Sequence, residues 1–499
     1  MNARKSSRTL RVSVVAVLAL LAGQVHADAG WFESGDTQLR LDLQLLNDAE
    51  VIRYPSNQWP IPRAALQYAF SNAKEHLATN SAVMAALDRL RARLEPRERT
   101  LAFDTAARGG EPGLLRDFDT VARESGELSA GLRFDSGMFS LGLRATGVND
   151  PSDGQEIRAD GSHATLKLAN WLVSANALDR WWGPGHESSL ILSSNARPMP
   201  TVMVERAEAR PFESKWLSWL GPWRFSFGVS QMEDERADID KPLFMAWRVV
   251  IMPFRKLEIG FSRTAQFCGE QLACDLDVFG NMLAGNDNVG IDATPENEPG
   301  NQMAGFDLRW NSPIGNLPYA LYGQYIGEDE SSYLPAKYLG QLGLEVWHPF
   351  SDGAIVQGFL EYASTTCSGL SRSDPYYGCA YNQGRFNVEG YRYRGRSIGH
   401  TSDRDADNWA VGGIYTGADG SVWTATARSS RLNRDDFGDL RNTVATVPTN
   451  YRAIELGWKG KLLGERIFVD LGLESIEPDT GGRDRQAFGF ISWQHEFQP

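Results

Sequence analysis

The sequence predicts a mainly β protein: a transmembrane outer-membrane antiparallel β-barrel of about 18 strands, with a small N-terminal α-helical bundle. Three observations predict this class. The 499-residue chain begins with an export signal, its strand-like segments alternate apolar and polar residues, and short and long connections take turns between them. Outer-membrane barrels have this rhythm because short turns face the periplasm and long loops face outside.

Residues 1–27 have the pattern of a secretory signal peptide. Basic residues up to Arg11 precede an apolar run from Val12 to Ala22, and Val25-His26-Ala27 fits a cleavage site. The apolar run is 11 residues long, whereas a membrane-spanning helix needs roughly 20. We therefore expect cleavage after export rather than a transmembrane anchor.

The overall charge limits the classes of partner. The formal net charge is −13, and a polyanionic nucleic acid would repel such a surface. The acidity does not count against a membrane barrel, because lipid-facing and lumen-facing residues alternate and the average composition looks polar. We expect outer-membrane lipid as a partner and no nucleic acid.

Residues 28–96 differ from the rest of the chain. Two segments rich in Ala and Leu with charged faces, 63–76 and 81–94, predict helices. The leucine-rich run 39–46 fits either a strand or a helix, because its leucines satisfy both spacings. We expect a small helical domain here and the barrel, with long extracellular loops, over 97–499.

The barrel region alternates apolar and polar residues over segments of about 10 residues. The chain closes on such a segment with Phe497, and a terminal aromatic is common in bacterial barrels, although Gln498 and Pro499 follow here. Residues 188–193 are a further candidate strand. We place the strands at 99–107, 127–135, 138–147, 162–170, 171–178, 201–209, 223–231, 243–253, 256–266, 303–312, 317–327, 339–348, 354–364, 409–417, 421–432, 451–461, 466–476 and 487–497.

Four cysteines fall as two local pairs in long connections of the predicted barrel. With an export signal present, Cys268–Cys274 and Cys367–Cys379 are the natural disulfides. Zinc is the alternative interpretation. The first pair is separated by five residues, which does not match the usual two-residue zinc-knuckle spacing, so we expect no metal in these pairs.

The stretch 171–200 breaks from a strand into Asp179-Arg180-Trp181-Trp182 and a Gly-Pro-Gly turn. Adjacent tryptophans cannot both face one side of a strand, so a large structured loop is predicted here. The rings either pack this loop or offer a flat surface to a sugar. The same two interpretations apply to five tyrosines of predicted external loops: Tyr376, Tyr377, Tyr381, Tyr391 and Tyr393.

Two further features raise catalytic or metal alternatives. His186-Glu187-Ser188-Ser189 lies beside the tryptophans, but it matches no zinc-protease or serine-hydrolase motif. A triad assembled across strands is the alternative to a hydrogen-bonded loop histidine. The acid-rich loop 286–298 could hold calcium, yet its spacing is not that of an EF-hand, so a solvated loop is favoured. We expect no catalytic residue, no cofactor and no metal.

Six stretches resemble the outer-membrane Wzi-type capsule-assembly family. They keep their order from the N-terminal region to beyond the middle of the chain, and Cys268 lies within one of them, which strengthens its pairing with Cys274. They are VIRYPSNQWPIP (51–62), LDRWWGPG (178–185), SSLILSSNARPMP (188–200), WLGPW (219–223), EIGFSRTAQFCGE (258–270) and PGNQMAGFDLRW (299–310).

The resemblance implies an 18-stranded barrel with the helical bundle at its periplasmic end. It also implies a non-enzymatic surface lectin that attaches capsular polysaccharide or a related exopolysaccharide to the cell. Loop position and chemistry single out the polysaccharide ligands Asp179, Arg180, Trp181, Trp182 and Arg197. We expect a monomer near the polysaccharide export machinery. A diffusion channel for saccharides is the alternative function.

Overall fold

A computed structural model describes most of the chain. The expected signal peptide and the acid-rich stretch 286–298 lie outside the described residues. The described residues are 29–95, 99–109, 113–119, 123–234, 236–237, 239–269, 274–275, 279–280, 300–315, 317–331, 334–368, 370, 375–381, 389–435 and 441–497.

Eighteen antiparallel strands close into one barrel, which confirms the predicted fold class. β4 is interrupted, and both of its parts pair with β3, while β18 pairs with β1 to close the ring. The strands are β1 Arg99–Gly109, β2 Gly126–Ser136, β3 Phe139–Asn149, β4 Ile157–Arg158 with His163–Leu168, β5 Trp171–Asn176, β6 Thr201–Arg206, β7 Trp223–Gln231, β8 Leu243–Phe254, β9 Leu257–Phe267, β10 Gln302–Asn311, β11 Tyr319–Ser331, β12 Leu334–Pro349, β13 Ile355–Ser364, β14 Asp407–Thr416, β15 Val422–Leu432, β16 Thr449–Leu462, β17 Glu465–Pro478 and β18 Asp484–Phe497.

The outward and inward faces of the strands have opposite character. In β17, Leu471 and Leu473 are 55% and 65% exposed on the outside, whereas Asp470 and Glu474 are buried inside. This arrangement inverts that of a water-soluble protein, because the outer surface meets lipid and the polar groups meet inside the barrel. The alternation read from the sequence is therefore the alternation between membrane and lumen.

Three helices precede the barrel: α1 Thr37–Asp48, α2 Arg63–Ser71 and α3 Ser81–Leu94. The ambiguous run 39–46 lies in α1, whose first turn is capped by the Asp36 carboxylate accepting from the N–H of Leu39. Its polar residues are buried as well as its leucines, because α1 lies between α3 and the polar lumen. None of the described helices has the length and apolar character needed to cross a membrane.

Shorter elements complete the described fold. The candidate strand 188–193 was wrong: its carbonyls at Leu190 and Ile191 accept hydrogen bonds from tyrosine hydroxyls instead of a strand ladder. Both predicted disulfides are present, Cys268–Cys274 and Cys367–Cys379. The remaining elements are the ribbons Trp31–Phe32 with Ile61–Pro62, Gln58–Trp59 with Trp181–Trp182 and Arg392–Tyr393 with Arg396–Ser397, and the 3-10 turns Glu75–Leu77 and Ser218–Leu220.

Candidate functional site

The connection between β5 and β6, residues 177–200, folds back into the barrel. Its Trp181–Trp182 segment pairs antiparallel with Gln58–Trp59 of the N-terminal region. The N–H of Gly183 also donates to the carbonyl of Asn57 at 3.1 Å. A loop from the long-loop end thus meets the N-terminal region, which enters from the short-turn end, inside the lumen.

The two tryptophans point to opposite sides, as adjacent residues of an extended segment must. Trp181 packs in the apolar cluster of the helices, with its ring perpendicular to that of Phe118 at 5.2 Å. Trp182 packs in a second cluster with Leu190 and Tyr381. Each tryptophan is 1% exposed, so neither ring is open to a sugar in this structure, and the geometry fits the packing interpretation.

Asp179 belongs to a charged cluster at the outer end of this loop. Its Oδ1 lies 3.3 Å from Nη2 of Arg123. The Arg123 guanidinium also donates to the carbonyls of Ser194 and Asn195 at 2.7 and 2.6 Å. Burial raises the pKa of Asp179 to about 6, against the opposing charge of Arg123. Burial thus favours the neutral form of Asp179 more than the ion pair with Arg123 favours its carboxylate.

Arg197 and Arg180 are held by other parts of the barrel. Arg197 donates to both carboxylate oxygens of Asp160 at 2.8 Å and also contacts Asp153. Burial lowers the pKa of Arg197, but the two carboxylates outweigh this and raise it above its ordinary value. Arg180 donates to Oδ1 of Asn176 at 2.7 Å. Both guanidinium groups are fixed in orientation and stay charged at neutral pH.

Three of the five predicted polysaccharide ligands line one pocket. Asp179, Arg180 and Arg197 form a polar part, while Trp181 and Trp182 are not among the lining residues. The lining thus combines an apolar wall with a few fixed polar groups. The wall includes Leu192, Met199, Met203, Phe244 and Ile398.

The described residues of the connection between β13 and β14, which spans 365–406, cover the first loop. Ser193 donates from its N–H to the carbonyl of Ile398 at 2.9 Å, and Asn195 Nδ2 donates to the carbonyl of Ser397 at 2.9 Å. The hydroxyls of Tyr381 and Tyr391 donate to the backbone carbonyls of Leu190 and Ile191, each at 2.7 Å. We call the described parts of 177–200 and 365–406 together the cap.

Two aromatic side chains of the cap reach solvent. Tyr376 is 53% exposed, and the Lys337 ammonium lies 5.6 Å from its ring centre. Tyr377 is half-buried, with the Arg434 guanidinium 5.5 Å from its ring centre. Of the seven loop aromatics singled out in the sequence, the other five are buried: Trp181, Trp182, Tyr381, Tyr391 and Tyr393.

The cap and the N-terminal region meet inside the lumen. Arg40 of α1 donates to the carbonyls of Pro184 and Gly185 at 2.6 and 2.8 Å. At the C-terminal end of α1, Asp48 accepts two hydrogen bonds of 3.0 Å from Arg309 of the barrel wall. Polar contacts therefore join α1, the loop 177–200 and the barrel wall, and α1 and this loop form one continuous polar filling of the barrel.

His186 sits inside this filling and has the partners of a structural histidine. Its Nε2 lies 2.8 Å from Glu345, and its ring stacks on Phe359 at 4.6 Å. Burial lowers the pKa of His186. Ser188 Oγ accepts from the N–H of Thr401, and Ser189 Oγ donates to the carbonyl of Trp182. Both serine hydroxyls thus form hydrogen bonds with backbone groups.

Comparison with known proteins decides the family. The family model described as Capsule assembly protein Wzi matches residues 100–480. The chain belongs to the Wzi capsule-assembly family. An uncharacterized 55.8 kDa protein in the cps region of Klebsiella pneumoniae is 32% identical over 351 residues, covering 69% of this chain and 67% of that relative. The resemblance stated from the six motifs is confirmed.

A solved structure of the Wzi family shares the fold. The outer-membrane protein Wzi of Escherichia coli, a carbohydrate-binding β-barrel involved in group 1 capsule assembly, superposes with a TM-score of 0.82. It is 24% identical, and the match covers 94% of this chain and 100% of that chain. This Wzi-family chain therefore shares the β-barrel fold of that outer-membrane protein.

Sequence reasoning missed most of the groups that hold the cap of this Wzi-family barrel. Arg123, Asp160 and Arg434 carry no motif, and each acts on a partner in another loop. A useful signal was present nonetheless: the long loops repeatedly mix basic, acidic and aromatic residues. Among the described residues, no cluster of three or more His, Cys, Asp or Glu has metal-site geometry.

Proposed function

We propose that this protein is a non-enzymatic outer-membrane lectin that attaches capsular or related surface polysaccharide to the cell and organises the capsule. Membership of the capsule-assembly family supports this function. The observation that carries it is the cap: two long external loops interlock into a fixed surface with exposed aromatic and charged side chains instead of lining an open channel.

The polymer contacts are proposed at the rim of the cap. Tyr376 and Tyr377 offer ring faces for stacking on sugar C–H groups, beside the cations of Lys337 and Arg434. A long polymer that meets many such barrels is retained by avidity, even when each contact is weak.

The five residues predicted as polysaccharide ligands have two roles in this proposal. Asp179 and Arg197, which line the pocket, are proposed to contact hydroxyl groups of a sugar. Arg180, Trp181 and Trp182 are positioning residues, since each is at most 9% exposed and acts through the packing and hydrogen bonds of the loop.

The helical region 28–96 is proposed to face the periplasm, because it packs at the short-turn end of the barrel. Ser81 Oγ of α3 donates to the carbonyl of Phe350 in the β12–β13 turn at 2.9 Å, and short turns of such barrels lie on the periplasmic side. Residues 1–27 are proposed as the signal peptide that is cleaved during export. A monomer close to the export machinery completes the proposed arrangement.

The test is the partition of polysaccharide in a strain that lacks this protein, with cell-attached, shed and total polymer recorded. We expect the attached fraction to fall while the total stays constant, and wild-type protein to restore attachment. Unchanged attachment would contradict the lectin function.

The same strain tests the proposed contact at Tyr376. Tyr376→Ala removes an exposed ring and should weaken each contact by about 1 kcal/mol, or roughly fivefold, and so lower the attached fraction. Tyr376→Phe keeps the ring and should restore attachment. Equal retention by both variants would remove Tyr376 from the contact surface.

A further inference from the structure

The connection between β6 and β7, residues 207–222, is the longest one at the short-turn end among the described residues. It exposes large apolar side chains: Trp216 is 85% exposed, Leu217 41% and Trp219 61%. Monomeric proteins rarely leave such a cluster in water, so a patch of this kind marks a contact surface.

The segment leaves the barrel wall on the lipid side. In β7, Arg224 and Ser226 are buried in the lumen, so the alternating residues Trp223 and Phe225 point outward. The ring of Phe212 stacks on that of Trp223 at 4.4 Å with an interplanar angle of 13°. Residues after Phe212 therefore begin their path over the outer surface of the wall.

Backbone hydrogen bonds and a close approach to β8 fix the conformation of residues 214–221. The N–H groups of Leu217 and Ser218 donate to the carbonyl of Ser214 at 3.1 and 2.8 Å. Gly221 closes the turn with φ of 67°, and an added Cβ there would lie 2.0 Å from the carbonyl oxygen of Met252. The backbone that carries the aromatic side chains is thus fixed against the barrel rim.

This patch continues the lipid-facing surface of the neighbouring strands. Trp171 of β5 points outward and meets Phe225 edge-on at 6.1 Å, and Val202 of β6 is 63% exposed on the same face. Indole rings concentrate where the acyl chains of a bilayer meet the headgroups. Lys215 and Arg210 are exposed next to the patch and suit the headgroup level.

We propose that residues 211–220 form an interfacial anchor in the membrane leaflet at the short-turn side, the periplasmic leaflet in such barrels. Trp216, Leu217 and Trp219 contact phospholipid at the boundary of acyl chains and headgroups, and Lys215 lies among the headgroups. The anchor fixes the depth and tilt of the barrel at this edge. It is independent of polysaccharide binding.

The test places a nitroxide label at Trp216→Cys or Trp219→Cys in the full-length protein, reconstituted in vesicles of phosphatidylethanolamine and phosphatidylglycerol. The four native cysteines are paired, so the new thiol reacts alone. Asp88→Cys is the matched control, because Asp88 is an exposed residue of α3 at the same end of the barrel. Unchanged heat-modifiable migration in gels verifies folding.

We expect the label at 216 and 219 to collide severalfold more often with oxygen, relative to a water-soluble nickel chelate, than the label at 88. Equal ratios at all three sites would place the segment in water and overturn the anchor. Low accessibility to both reagents at 216 would indicate a protein contact, which also overturns it.

A second measurement uses the native side chains, since the label replaces the group under test. Brominated phospholipids should quench the tryptophan fluorescence of the wild-type protein more than that of a Trp216→Phe/Trp219→Phe variant. Equal quenching of both proteins would contradict lipid contact at these rings.

Discussion

Trp181 lies 5.2 Å from Phe118 and pairs through its backbone with Trp59, so it joins the N-terminal region to the long loops. Its neighbour Trp182 joins the other cluster, that of the cap. The sequence predicts that the rings of Trp181 and Trp182 point to opposite sides. It does not predict that both rings are buried against other parts of the chain. That knowledge requires Phe118 and Tyr381, which come from two other loops.

Replacement of Trp181 separates the packing role from sugar contact. Trp181→Ala should lower the free energy of unfolding by about 3–5 kcal/mol, because a large buried ring is removed and a cavity remains. Denaturant unfolding in detergent micelles measures this change. Trp423→Ala is the control at a ring that is 55% exposed on the outer face, where we expect a much smaller loss.

The opposite result would revise the role of Trp181. Stability close to that of the wild type, together with reduced polysaccharide attachment, is what a ring stacked on sugar would give.

Among the elements, the strands followed closely from the sequence. Each crosses the same slab of lipid, and the period of two is enforced along its whole length by lipid on one side and lumen on the other. α1 was ambiguous for the opposite reason, because no stripe of it faces solvent. Most of its leucines pack in the apolar cluster of the helices, whereas Leu41 packs against the barrel wall. Arg40 and Gln44 are also buried, against polar partners.

The joined loops of the cap were beyond sequence reasoning. Asn195 and Ser397 form a hydrogen bond across 202 positions, and Ser193 contacts Gly399 across 206. A pattern of neighbouring residues cannot predict hydrogen bonds between positions so far apart in the sequence. The disulfide Cys367–Cys379, by contrast, spans 12 positions and was found from spacing and compartment alone, as was Cys268–Cys274.

Removal of Cys367–Cys379 should loosen the cap without opening the barrel wall. A cross-link of this span stabilises by about 3 kcal/mol in the loop-entropy account, so local opening should become roughly 100-fold more frequent. We expect faster hydrogen exchange of backbone amides in 389–406 in a Cys367→Ala/Cys379→Ala variant, with the strands unchanged.

The other disulfide supplies a matched control for this experiment. Cys268→Ala/Cys274→Ala should leave exchange in 389–406 at the wild-type rate, because that pair closes a different external loop. The same acceleration in both variants would mean that the cap depends on general loop order rather than on its own cross-link.

At the scale of the whole molecule, the barrel is filled from both ends. The helices enter from the short-turn end and the cap from the long-loop end, and Arg40 bonds one to the other at Pro184 and Gly185. The wall holds both: Arg309 binds Asp48 of the helix, and Arg428 binds Glu187 of the cap at 2.8 Å. Opening a path would break several charged hydrogen bonds between buried groups, each costly to leave unpaired.

The wild-type protein should therefore give no steady single-channel conductance in a planar bilayer, whereas a general porin inserted under the same conditions gives stable open levels. The same recordings are expected to stay closed on addition of oligosaccharide, since a ligand at the cap rim does not touch the Arg40 contacts. Steady open levels in the absence of ligand would show that helix and cap separate readily. The diffusion-channel function would then explain this barrel better than attachment does, because the helices and the cap would not keep the lumen closed.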